Sequence, residues 1–173
     1  MKNPHQKVLI GSRWIIQHWR DKRLLAERIE ENLCPDEFIN YLLDVALSGG
    51  SQKANWYVLL FSDDHTPEVT DTYASPGFTE SDGYDESTRP AWSEDGVSGK
   101  SISNTSSKAE FTMDGTDTTI YGAALVSDDT KGDQAASSAI LGPVVQFTGG
   151  AVTGISDDDV IKVFVTVTGA DDA

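Results

Sequence analysis

A chain of 173 residues is long enough to bury one real core, and its formal charge of −15 is unevenly placed. Residues 1–53 carry eight Lys/Arg against seven Asp/Glu and 54–173 carry five against twenty-one, so nucleic acid is a poor partner for the larger part. A single cysteine, Cys34, excludes an intrachain disulfide and a four-cysteine zinc site, and no run approaches the ~20 apolar residues of a membrane helix.

Residues 1–7 lead into a short apolar patch interrupted by Arg13, which does not match a secretory signal; synthesis in the cytoplasm is expected. Val8–Trp19 is β-branched and aromatic. Arg20-Asp21-Lys22 is a polar turn, and Arg23–Glu30 runs on, so the pair reads as a β-hairpin. The second run also contains good helix formers. Pro35 then opens a helical pattern in which Phe38, Leu42 and Val45 build an apolar stripe. Asp36 and Glu37 suit the positive end of its dipole, and Gly49-Gly50 ends it.

Asn55–Phe61 is a continuous apolar run of strand length, the expected central buried strand. Residues 63–97 are rich in Asp, Thr, Ser, Gly and Pro, with Tyr73, Phe78, Tyr84 and Trp92 scattered among them. Plain disorder is poor in aromatics, so this stretch reads as an extended arm or lid anchored by its rings. Strands are predicted at Lys108–Met113, Thr118–Ser127, Ala139–Phe147 and Val160–Thr168, separated by Asp-Gly and Gly-Gly turns. The fold class is therefore mainly β: an antiparallel β-sandwich or jelly-roll-like module with an N-terminal hairpin and one short helix. Residues 1–53 form the hairpin-plus-helix region, packed on or continuous with the sandwich of 54–173.

Chemistry is sparse. His5, His18 and His65 have no ligand-type residue at a metal-binding spacing on a helix, and His18, between Gln17 and Trp19, reads as a surface or cross-strand residue. Asp63-Asp64-His65 reads as a turn. Asp114-Gly115-Thr116-Asp117, Asp128-Asp129 and Asp157-Asp158-Asp159 do not match a twelve-residue calcium loop, and Asp and Gly are the expected turn residues there. Cys34 beside Pro35 reads as a packed thiol rather than a nucleophile. No nucleophile elbow, phosphate loop or dinucleotide fingerprint occurs, so neither an enzyme nor a cofactor is expected. Trp56-Tyr57 and the other rings could stack on sugars, which leaves a carbohydrate-binding module as an alternative.

From Asn55 onward four stretches carry a resemblance: Trp56-Tyr57-Val58-Leu59-Leu60; Asp71–Ser75 with Gly77–Glu80; Tyr84–Trp92, above all Thr88-Arg89-Pro90-Ala91-Trp92; and Ser101–Thr112 with Ile120–Val126 and Lys131-Gly132. In these the chain is similar to a family of small structural proteins of tailed bacteriophages. The hairpin turn Trp19-Arg20-Asp21-Lys22 and the helix resemble that family's N-terminal part. The resemblance implies a virion protein on the capsid exterior, a decoration or cement protein whose partners are the major capsid protein and its own copies as a dimer or trimer. A tail-associated or fibre-base protein is the alternative. Interface candidates are Tyr73, Phe78, Tyr84, Arg89, Pro90 and Trp92 of the arm, with Trp14 and Trp19 of the hairpin. Trp92 would be a buried anchor, Arg89 a bidentate partner for a carboxylate, and Pro90 a stiffener. Equally, the arm packs on its own sandwich, with Arg89 paired to Asp85 or Glu86.

Overall fold

The computed structural model describes residues 8–134 and 138–171; His5 lies outside them. Strand β1 (Val8–Arg20) and strand β2 (Arg23–Glu31) form the predicted hairpin. Its two-residue link is Asp21-Lys22, both at positive φ (49° and 66°), the backbone hand that a tight hairpin turn requires. That turn and the cross-strand register override the helix formers in β2. The helix α1 runs over Asp36–Leu43 and widens to a π-turn over Asp44–Ser48, and Gly49 at φ 81° stops it. Nine further strands follow: β3 (Tyr57–Phe61), β4 (Glu80–Ser81), β5 (Ser101–Ser103), β6 (Ala109–Thr112), β7 (Thr119–Ile120), β8 (Gly122–Val126), β9 (Leu141–Gln146), β10 (Val152–Thr153) and β11 (Val160–Asp171).

Every ladder is antiparallel. The first sheet has the order β2-β1-β11, with β5 and β6 sharing the far edge of β11. The second has the order β4-β3-β8-β9. Trp14, Ile16, Phe111, Ile161, Val163 and Val165 of the first meet Val58, Leu60, Ala123, Leu125 and Val145 of the second in one core. The β7–β10 ribbon adds Ile120 and Val152 to it. The hairpin belongs to the sandwich itself, because β1 pairs with β11 from Val8–Asp171 to Trp19–Val160.

The two sheets differ in what covers them, and the sequence patterns follow from that. In β11 Ile161, Val163 and Val165 are buried while Lys162, Phe164 and Thr166 are only half-buried, so residues alternate. In β3 the residues Val58–Phe61 are all buried, because Leu59 and Phe61 face a second cluster on the outer side of their sheet. That cluster is closed by Tyr73 and Phe78 of the segment 63–97, with Phe78 stacked on Phe61 at 4.4 Å. The arm is thus folded back on its own sandwich. It continues around to the inter-sheet core, where Tyr84 packs edge-on to Phe111 and Trp92 donates to the Val165 carbonyl at 3.3 Å.

Between Val163, paired with Ala109 of β6, and Thr166, paired with Ser103 of β5, the far edge of β11 lacks a strand partner at Phe164–Val165. Buried Asn104 fills the gap: its Nδ2 donates to the Val163 carbonyl at 3.1 Å, and its Oδ1 accepts from the Val165 N–H at 2.7 Å. The predicted strand 118–127 is broken at Tyr121. Residues 119–120 pair with β10 and 122–126 with β3 and β9, so the chain changes partners there.

Candidate interaction surface

The sequence candidates in the arm serve the fold. Arg89 is fully buried, and all five of its N–H groups are matched. Nε and Nη2 donate to the two oxygens of Glu80 at 2.8 and 2.6 Å. Nη1 donates to the Tyr73 hydroxyl and the Asp128 carbonyl at 2.8 and 2.9 Å, and Nη2 also to the Asp133 carbonyl at 3.0 Å. This fork clamps the arm to the loop after β8. Asp85 and Glu86 are not its carboxylate partners, because the segment is not helical and residues three or four apart do not face each other. Glu86 instead accepts from the Thr112 N–H, at 3.1 Å to either oxygen. Glu80 faces Arg89 because β4 pairs it against Phe61. Pro90 lends its carbonyl to the Val58 N–H, and Trp92 donates its N–H to the Trp56 carbonyl, so the arm extends the β3 ladder.

Tyr73, Phe78, Tyr84, Arg89, Trp92 and Trp14 are all buried within the protomer. Trp14 donates its indole N–H to Ser12 in the core. The Tyr84 hydroxyl has no hydrogen-bond partner among the described residues, and burial pushes its ionisation far up. These rings are occupied as core, and Trp92 offers no exposed face on which a sugar could stack.

His18 is also a buried residue, not a surface one, since position 18 points between the sheets with Trp14 and Ile16. Its Nε2 lies 2.7 Å from Asp159 Oδ2. Asp159, itself buried, accepts from Arg20 Nε and Nη2 at 2.7 Å each and from the Ser156 N–H at 2.8 Å. The Arg20 hydrogen bonds lead in holding its carboxyl well below the usual carboxylate range, and His18 adds to them. The cluster locks the hairpin to the start of β11. In the sequence Asp159 reads only as a turn residue, because its side-chain partners His18 and Arg20 lie some 140 positions away.

Other acids cap local turns or tie loops together. Asp114 accepts from Thr116, Asp128 from the Thr130 N–H, and Asp117 from Ser81 and the Gly83 N–H. Asp71 accepts from His65 at 2.9 Å and from the Glu68 N–H. Among the described residues no group of three or more His, Cys, Asp or Glu could hold a metal. Burial raises the Cys34 thiol rather than activating it. A cavity of about 300 Å³ between α1 and the end of the sandwich is walled by Phe38, Leu42, Trp56, Trp92 and Val167, an apolar set with no titratable pair.

What the fold leaves open is the outer face of the first sheet. Cross-strand register aligns Ile29, Ile15 and Phe164 in one apolar row. The neighbouring row is Glu27, Gln17, Lys162 and Glu110, tied by the Gln17–Glu27 hydrogen bond at 2.8 Å and the Lys162–Glu110 pair at 3.1 Å. On the other side lie Glu31, Arg13, Thr166 and Ser103. Half-buried Trp19 belongs to this face, beside Leu24 and Val160, with the Lys162 ammonium 5.6 Å from its ring centre. Of the eight candidates from sequence, Trp19 is the one placed there. No family model matches the chain, and no curated protein matches it.

Proposed function

We propose that this chain is a non-enzymatic structural protein of a tailed-phage virion, a decoration or cement protein that binds the major capsid lattice from outside. The observation that carries this reading is the contrast between the two sheets. The second is buried on both sides, its outer face sealed by the clamped arm. The first keeps an outer face of apolar and ion-paired rows suited to wide contact with another protein. Side-chain networks that are satisfied within the protomer, such as Arg89 with Glu80 and Asp159 with Arg20, give a rigid platform rather than a reactive cleft. The resemblance in Thr88-Arg89-Pro90-Ala91-Trp92 and the flanking stretches supplies the virion context.

The test is quantitative mass spectrometry of purified particles, scaled to the major capsid protein. Hundreds of copies per particle support the shell reading; tens or fewer move the chain to the tail. Absence from washed particles overturns the virion reading altogether.

A further inference from the structure

The helix α1 and its π-turn carry an apolar stripe, yet they bury little of it. Phe38 is buried, Leu42 and Val45 are only half-buried, and no residue of the π-turn is buried at all. Leu42 and Val45 instead line one side of the cavity of about 300 Å³, and Trp56, Trp92, Leu125 and Val167 of the sandwich line the other.

Protein interiors are close-packed, so a gap beneath an apolar helix face would ordinarily close as the helix settles inward. Here it is held open on both flanks. On one, the Glu37 carboxylate accepts from the Tyr73 N–H of the arm at 2.9 Å and from the Leu141 N–H of β9 at 2.6 Å, while the Asp36 N–H donates to the Val69 carbonyl at 2.9 Å. On the other, the Tyr41 hydroxyl accepts from the Lys53 N–H at 2.8 Å. Between these ties Phe38 and Tyr41 meet Trp56 edge to face, with ring centres 5.6 and 5.7 Å apart, and prop the helix off the sandwich. A helix widened by a π-turn is itself frequent at functional sites. The cavity is thus preformed, as sites for small molecules usually are.

The lining sets the chemistry of an occupant. Four of the lining side chains are aromatic (Phe38, Tyr41, Trp56 and Trp92), and no charged side chain reaches the cavity among the described residues. A charged guest would lose its water without gaining a partner, and an anion would also meet a chain of net charge −15. Aromatic walls favour an aromatic guest, through offset and edge-on contacts worth more than their buried area. An apolar cavity of about 150 Å³ holds a benzene, so this one has room for about two fused rings. We propose that the cavity under α1 binds an uncharged aromatic small molecule of that size. The inference stands on this cavity and is independent of the virion reading.

The probe is naphthol, uncharged at neutral pH, titrated into the full chain with calorimetry and with NMR of the backbone amides and tryptophan indoles. It should bind saturably with a Kd below about 1 mM, shift the Trp56 and Trp92 indole signals, and leave Trp19, at the far end of the hairpin, in place. Naphthoate, the same rings carrying a carboxylate, should bind at least tenfold more weakly. Val45→Trp and Ala46→Phe each fill the cavity from its helix side and should weaken naphthol at least tenfold, with unchanged amide dispersion away from α1 verifying the fold. Failure of naphthol to saturate overturns the proposal. So do shifts as strong at Trp19 as at Trp56, naphthoate binding as well as naphthol, or filled variants that bind like the wild type. Trp56 and Trp92 signals that move with protein concentration alone overturn it too, because they place a second copy in the cavity.

Discussion

Asp159 shows how one buried carboxylate holds distant parts of the chain together. It is almost fully buried, and its acceptor sites are filled by Arg20, His18 and the Ser156 N–H. Because its ionisation is depressed in the folded state, the stabilisation it provides is fully present above about pH 4, the unfolded value, and is lost as pH falls below that toward the folded value. Asp159→Asn should therefore cost about 2 kcal/mol at neutral pH, the worth of hydrogen bonds to a charged acceptor. The difference from wild type should shrink steadily as pH falls from about 4, where the carboxylate of the unfolded chain takes a proton while the native one stays charged, toward the lower folded value. Urea denaturation of both proteins across that range measures it; a pH-independent difference would mean the carboxylate's charge is not what matters. His18 was legible as a strand residue but not as buried, because one-residue alternation gives two faces without saying which is the core.

At the scale of elements, the long strands were legible and the short ones were not. β1, β3 and β11 carry patterns of five or more residues, enough to show alternation or a continuous apolar run. β4, β7 and β10 are two residues each and have no period to detect. Their existence depends on partners such as Phe61 and Val152 that only the fold brings near. The arm's rings were visible as anchors, but their targets were not: the outer face of β3 and β8 for Tyr73 and Phe78, and the inter-sheet core for Tyr84 and Trp92. Asn104 is the sharpest case, a polar side chain standing in for a missing strand. Asn104→Ala would orphan the Val165 N–H and the Val163 carbonyl inside the sandwich, at a cost of about 2–4 kcal/mol for two buried backbone groups. Thermal unfolding should register this as a clear fall in Tm, accompanied by faster amide exchange at Val165. Unchanged protection at Val165 would show that the ladder closes without the side chain.

For the whole molecule, the division at residue 53 seen in composition and charge does not mark a break in the fold. The near-neutral segment supplies the central strand of the first sheet, and β11 has β1 beside it over nearly its whole length. Removing residues 1–53 would delete Trp14 and Ile16 from the core and bare Val163, Val165 and Ile161 on one edge. Each buried side chain of this size contributes about 1.5–3 kcal/mol, and the total stability of such a domain is only about 5–15 kcal/mol. The loss of β1 with its core residues, of β2 and of the Arg20–Asp159 lock should therefore exceed what the rest can sustain. The acidic remainder, with a balance of −16 over residues 54–173, would also repel itself without the cations of the hairpin. A chain starting at Ala54 should show poor amide dispersion by NMR and no cooperative urea transition, while the full chain unfolds in one step. A dispersed spectrum from the shorter chain would instead mean that the second sheet and its clamped arm, with Arg89 and Glu80 at the centre, are a folding unit of their own.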